Sequence, residues 1–173
     1  MSIRSLIFVV IVAVGGCAAR AKEGNPSFPV TLEEARADLA RMAKGPRPTT
    51  RPIVVLGGFA DPGVGAWVVG GELRKYLPPD ATVVCVSFTF CNSFDACRDR
   101  VIEAVDRAAL SDDPQRTAEV DVVGLSMGGL VGRYSAAFAR SDGRRLRVHT
   151  LFTAASPHTG ALRAEQFPQI LRM

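Results

Sequence analysis

The sequence predicts an α/β fold, a mostly parallel sheet with helices on both faces, and three observations carry that prediction. From Ile53 onward, strand-like and helix-like segments alternate along the chain. Each strand-like segment is almost continuously apolar, as strands are when helices cover both sides of their sheet. A glycine-flanked bend, Gly124-Leu125-Ser126-Met127-Gly128, joins one of these strands directly to a helix-like stretch.

The ends and composition come first. The chain has 173 residues, 47% hydrophobic and 22% charged, the balance of one ordinary globular domain. Met1-Ser2-Ile3-Arg4 is a short positive start, Ser5 to Gly16 is apolar, and Val14-Gly15-Gly16-Cys17 closes the stretch with small residues. Residues 1–16 therefore read as an export signal, too short to span roughly 30 Å of hydrocarbon as a stable helix. The Val-Gly-Gly-Cys ending resembles the lipobox of bacterial lipoproteins. That resemblance implies cleavage before Cys17, lipidation of Cys17 and a cell-envelope membrane lipoprotein, in the outer membrane of a Gram-negative cell because Ala18 rather than Asp follows. A conventional signal cut near Ala18-Ala19, giving a secreted or periplasmic protein, is the alternative reading.

Residues 17–30 are small, polar and proline-containing, the composition of a tether without fixed structure. Residues 31–52 form a helix and a connector. Thr31-Leu32-Glu33-Glu34 reads as a capping box with Thr31 at the N-cap and Glu34 at N3, and Leu32, Ala35, Leu39 and Met42 recur at helical spacing. Gly45-Pro46-Arg47-Pro48-Thr49-Thr50-Arg51-Pro52 ends that helix, since closely spaced prolines exclude it. Residues 53–173 carry the main domain. Its strands are predicted at Ile53 to Leu56, Thr82 to Phe88, Val120 to Gly124 and Leu146 to Ala154. Its helices are predicted at about Ala66 to Leu77, Ser93 to Leu110 and Met127 to Ala139.

Charge and cysteine content exclude several functions. The formal charge of +4 is mild, and the one basic group, Arg140, Arg144, Arg145 and Arg147, has no interleaved aromatic residues, so a nucleic-acid partner is not indicated. Those arginines read as a solvated turn. Beyond Cys17 there are Cys85, Cys91 and Cys97, with no metal-ligand spacing. In an oxidising compartment one disulfide and one free thiol would result, and Cys91 and Cys97 are close enough to pair if the segment between them turns. Cys85, inside an apolar run, reads as a buried free thiol.

Ser126 is the chemical centre. A serine held at the tip of a tight strand-to-helix turn projects its hydroxyl into a cleft beside backbone N–H donors. Gly124 and Gly128 are required there because side chains would collide with the neighbouring strand or helix. The bare pattern also arises by chance in a chain this rich in glycine; its position after Val120-Asp121-Val122-Val123 and before a helix gives it weight.

With these residues in hand, Ile53 to Gly160 resembles the first half of an α/β-hydrolase of the bacterial lipase and esterase type. Ile53-Val54-Val55-Leu56-Gly57-Gly58-Phe59 resembles the first strand and oxyanion loop, Gly124 to Gly129 the nucleophile elbow, and Ala155-Ser156-Pro157-His158-Thr159-Gly160 the loop after the next strand. Trp67 beyond the oxyanion loop and Tyr134 in the elbow helix also fit. The resemblance implies Ser126 as nucleophile, the N–H groups of Met127 and Phe59 as the oxyanion hole, an ester or lipid substrate and no cofactor. One departure is evident: Gly57-Gly58 stands where these enzymes usually have His-Gly.

The general base is not evident. His149 falls within a strand, where a structural histidine is the stronger reading. His158 lies nearer the strand ends, but in the resembled lipases that loop histidine is not the base. Glu165 reads as a surface carboxylate. In this fold the acid and histidine follow the serine on later strands, so they are expected beyond Met173, and an isolated half sheet is expected to self-associate through its unpaired edge. Two readings follow: a serine carboxylic ester hydrolase, lipase- or esterase-like, or a non-catalytic, degenerate hydrolase-fold lipoprotein that binds acyl chains or a partner. Acyl transfer to an alcohol would use the same site.

Overall fold

The computed structural model describes residues 30–46 and 48–160. The chain divides into two compact units, one up to Asp38 and the other from Leu39 onward. The export signal, Cys17, the tether up to residue 29 and Glu165 lie outside the described residues.

Helix α1 (Leu32–Lys44) starts with the predicted capping box. Glu34 Oε2 accepts from the Thr31 N–H at 2.7 Å and from its hydroxyl at 2.8 Å, while the Glu34 N–H donates to Thr31 Oγ1 at 3.2 Å. These bonds hold the Glu34 carboxyl below the usual carboxylate range. Acidic residues in the first turn and Arg41 and Lys44 in the last complement the helix dipole, and no residue of α1 is buried.

From Ile53 the elements run β1 (Ile53–Leu56), α2 (Val64–Arg74), β2 (Val83–Val86), α3 (Phe94–Ala108), β3 (Arg116–Leu125), α4 (Met127–Ala137) and β4 (Arg145–Ala154). The strands form one parallel sheet in the order β2-β1-β3-β4. Register explains the two faces. Val54 pairs with Val84 and Val122, and Leu56 with Val86 and Gly124. These residues share one face, where Val54, Leu56, Val86, Val120 and Val122 join Val101, Ile102 and Val105 of α3 and Val131 of α4 in a single buried core. The alternate residues Val55 and Cys85 take the other face, which α2 covers: a side chain at Gly70 would come within 2.5 Å of Cys85 Sγ. Helices thus occupy both faces.

Strand β3 begins four residues earlier than predicted, because Arg116, Thr117 and Glu119 are polar and interrupt the apolar signal, yet Arg116 and Glu119 pair with Arg145 and Arg147 of β4. In β4 the register slips between Val148 and Thr150, so His149 is the extra residue of a bulge. Its Nδ1 lies 3.7 Å from Glu119 Oε2.

Two readings of the sequence need correction. The arginines are not simply a solvated turn: Arg144 is largely buried, donates to both Asp106 carboxylate oxygens at 2.7 and 2.8 Å, and also donates to the carbonyls of Asp113 and Pro114. Arg140 pairs with Asp142, and that bond, with the Arg144 N–H, holds the Asp142 carboxyl down to about 2. Cys85 is half-buried rather than buried, since β2 ends the described sheet, and the three described cysteines are unlinked in this structure.

Candidate active site

The site is built where β1, β3 and β4 end. Ser126 is the residue between β3 and α4, at φ 52° and ψ −120°, a conformation that non-glycine residues rarely adopt. Its N–H donates to the Ala154 carbonyl at the end of β4 at 2.8 Å, and its own carbonyl accepts from the Gly129 N–H at 3.2 Å. The bend is therefore pinned on both sides.

The glycines around it are spaces already filled by backbone. A side chain at Gly124 would lie 2.5 Å from the Gly129 nitrogen, and one at Gly128 would collide with the Leu56 carbonyl oxygen and lie 2.6 Å from that of Gly57. Helix α4 thus enters directly against the end of β1. Gly129 is equally constrained, because a Cβ there would collide with Ser156 of the post-β4 loop. Ser156 Oγ is buried and makes no hydrogen bond among the described residues.

The β1 loop meets the serine at Gly58, whose Cβ position is 3.5 Å from Ser126 Cβ and 3.9 Å from Ser126 Oγ. The next residue, Phe59, opens a turn closed by the Asp61 N–H to the Gly58 carbonyl at 3.4 Å, and its side chain is 46% exposed. Met127 is the first residue of α4, so its N–H has no acceptor within the helix.

Asp61, not singled out in the sequence, organises this loop. Its carboxylate accepts from the N–H groups of Gly63 and Gly65 at 3.0 Å and Ala66 at 3.2 Å, capping α2 from outside. Its carbonyl accepts from the hydroxyls of Ser87 and Thr89, both at 2.7 Å, which ties the β1 loop to the β2 loop. A side chain at Gly57 would lie 2.6 Å from Asp61 Oδ2. The Gly57-Gly58 departure therefore has a local cause: the Asp61 carboxylate occupies the place a histidine would need. An Asp followed by Pro62-Gly63 ahead of helical spacing was the available signal.

Neither described histidine has Ser126 as a hydrogen-bond partner. His158 is exposed, with Arg133 at 3.1 Å from Nδ1 and Thr153 Oγ1 at 3.1 Å from Nε2. A guanidinium only donates, so Nδ1 is the acceptor in the Arg133 contact. Both nitrogens thus have partners other than Ser126. His149 lies five residues before Ala154, roughly 16 Å back along β4. Trp67, on α2, is 69% exposed beside a cleft of about 390 Å³ lined by Val64, Ala66, Cys85 and Val86. Tyr134 joins α4 to α3, its hydroxyl donating to Asp95 Oδ1 at 2.8 Å and its ring packing against Phe94 and Phe138.

A parallel sheet that presents a serine at a glycine-flanked strand-to-helix bend, with a glycine loop beside it, defines an α/β-hydrolase-like protein. The family model for palmitoyl protein thioesterase matches residues 52–172, most of the chain, and the chain belongs to that hydrolase-type family. No curated protein matches the chain closely enough to count as a relative.

Proposed function

We propose that the protein is a serine hydrolase of acyl thioesters and esters, with Ser126 as nucleophile and the amides of Phe59 and Met127 as the oxyanion hole. The observation that carries this reading is the strained Ser126 backbone at a bend that Gly124 and Gly128 allow. The family match supports a long-chain acyl substrate and favours a thioester over the glyceride ester of a lipase.

In this mechanism Ser126 Oγ attacks the acyl carbonyl and the developing oxyanion turns toward the two amides. The Met127 amide adds the positive end of the α4 dipole, and losing one such donor costs on the order of 3 kcal/mol in the transition state. Collapse expels the thiolate and leaves an acyl-serine that water then cleaves. A thiol, with a pKa of about 8.5, leaves as its anion far more readily than an alcohol, so a thioester asks less of a general acid. The serine proton still requires a base. With His149 and His158 engaged elsewhere, the base and its orienting acid come from outside the described residues.

Export and lipid attachment at Cys17 would hold such an enzyme beside a membrane carrying acyl groups. The same histidine placement favours one other reading, a non-catalytic acyl-binding protein. Treatment of the natural protein with a fluorophosphonate separates them. Ser126 should be labelled, and Ser126→Ala should abolish labelling and lower palmitoyl-thioester turnover by at least about a thousandfold. An unlabelled Ser126, or turnover that survives the substitution, overturns the hydrolase reading.

A further inference from the structure

We propose that Cys91 and Cys97 form a structural disulfide that closes the loop after β2 onto the first turn of α3. The placement of the three described thiols leaves one pairing open. Cys85 is on the α2 face of the sheet, its sulfur toward Gly70, whereas its neighbours Val84 and Val86 face the opposite core. Cys91 and Cys97 belong to that opposite core, 7% and 1% exposed. The sheet itself stands between Cys85 and the other two.

Local hydrogen bonding brings the pair together. The Cys91 N–H donates to the Phe88 carbonyl at 3.0 Å, closing a turn that carries the chain back to the helix. Ser93 Oγ then caps α3 by accepting from the Ala96 N–H at 3.1 Å, and the Cys97 N–H donates to the Ser93 carbonyl at 3.1 Å. Cys97 is thus the fourth helical residue and Cys91 stands two residues ahead of the cap, near the arrangement in which an apolar pair staples a helix start. Burial, and then the Cys91 thiol beside it, push the Cys97 thiol up to about 12.

Both cysteines are buried in the folded chain, so oxidation belongs to the folding chain, where an external disulfide reaches both sulfurs, and burial then shields the product. The oxidant is a low-molecular-weight or protein disulfide. One cysteine thiolate attacks it and expels a thiol, and the second cysteine displaces the remaining half. Two electrons and two protons leave the pair, and the oxidant departs as two thiols. The bond would brace the loop whose Ser87 and Thr89 hydroxyls hold the Asp61 carbonyl.

The test is to refold the full chain in a glutathione redox buffer, alkylate the remaining thiols, and cleave after Phe94, which puts Cys91 and Cys97 on separate peptides. The expected product has those two peptides joined, Cys85 alkylated, and a melting temperature about 5 °C above that of the reduced chain. The Cys91→Ala/Cys97→Ala variant should lose the redox-dependent shift, and Cys85→Ala should keep it. Alkylation of both Cys91 and Cys97, or linkage of either to Cys85 or Cys17, overturns the proposal.

Discussion

Ser126 is held at φ 52° by its neighbours, at a cost of about 1–3 kcal/mol that the surrounding packing must offset. That packing is made by atoms that cannot give way. Gly128 meets two backbone carbonyls of β1 and Gly124 meets the backbone of α4. Gly128→Ala should therefore destabilise the fold by at least about 3 kcal/mol in a denaturant titration. Gly71, in mid-α2 with nothing within 4 Å of its Cβ position, makes the contrast: Gly71→Ala should stabilise by about 0.5–1 kcal/mol in the same measurement. The requirement at Gly124 and Gly128 was legible in the sequence because the bend itself imposes it. The requirements at Gly57 and Gly129 were not, because the colliding groups, Asp61 and Ser156, are brought in by the loops after β1 and β4.

At the level of elements, signals carried by adjacent residues read well and those carried across the sheet did not. The capping box of α1 and β1 itself were predictable from a few consecutive side chains. The polar start of β3 was missed because its pairing partners, Arg145 and Arg147, are 29 and 28 residues away in chain order, on the order of a whole βαβ unit. Asp61 belongs to this level too. It caps α2 and fixes the loop beside Ser126 at once, so Asp61→Ala should lower stability by about 1–2 kcal/mol and reduce turnover as well. Far-ultraviolet circular dichroism during urea titration, with thioester assays in native buffer, measures the two effects separately. Unchanged turnover in a folded variant would detach Asp61 from the site.

At the scale of the molecule, the order β2-β1-β3-β4 puts Ser126 just past the end of an inner strand and leaves β2 and β4 as the ends of the described sheet. Leu151 of β4 packs toward Gly132 of α4, so its neighbour Phe152 turns to the opposite face, where it is 50% exposed. An exposed aromatic on a terminal strand favours association with another copy. Phe152→Ser should therefore reduce self-association of the 173-residue chain in light scattering, at a stability cost of about 1 kcal/mol or less. Scattering unchanged by the substitution would place the sticky surface elsewhere.

The sequence by itself determined the alternation of strands and helices, the bend at Ser126 and its flanking glycines. Each follows from periodicity or sterics within a few residues. Only the tertiary structure decided that Asp61 fills the space beside Gly57, that Arg133 and Thr153 occupy both nitrogens of His158, that Arg144 clamps Asp106, and that the sheet separates Cys85 from Cys91 and Cys97. Those outcomes depend on which strands become neighbours and which face each residue takes, and a local pattern carries neither.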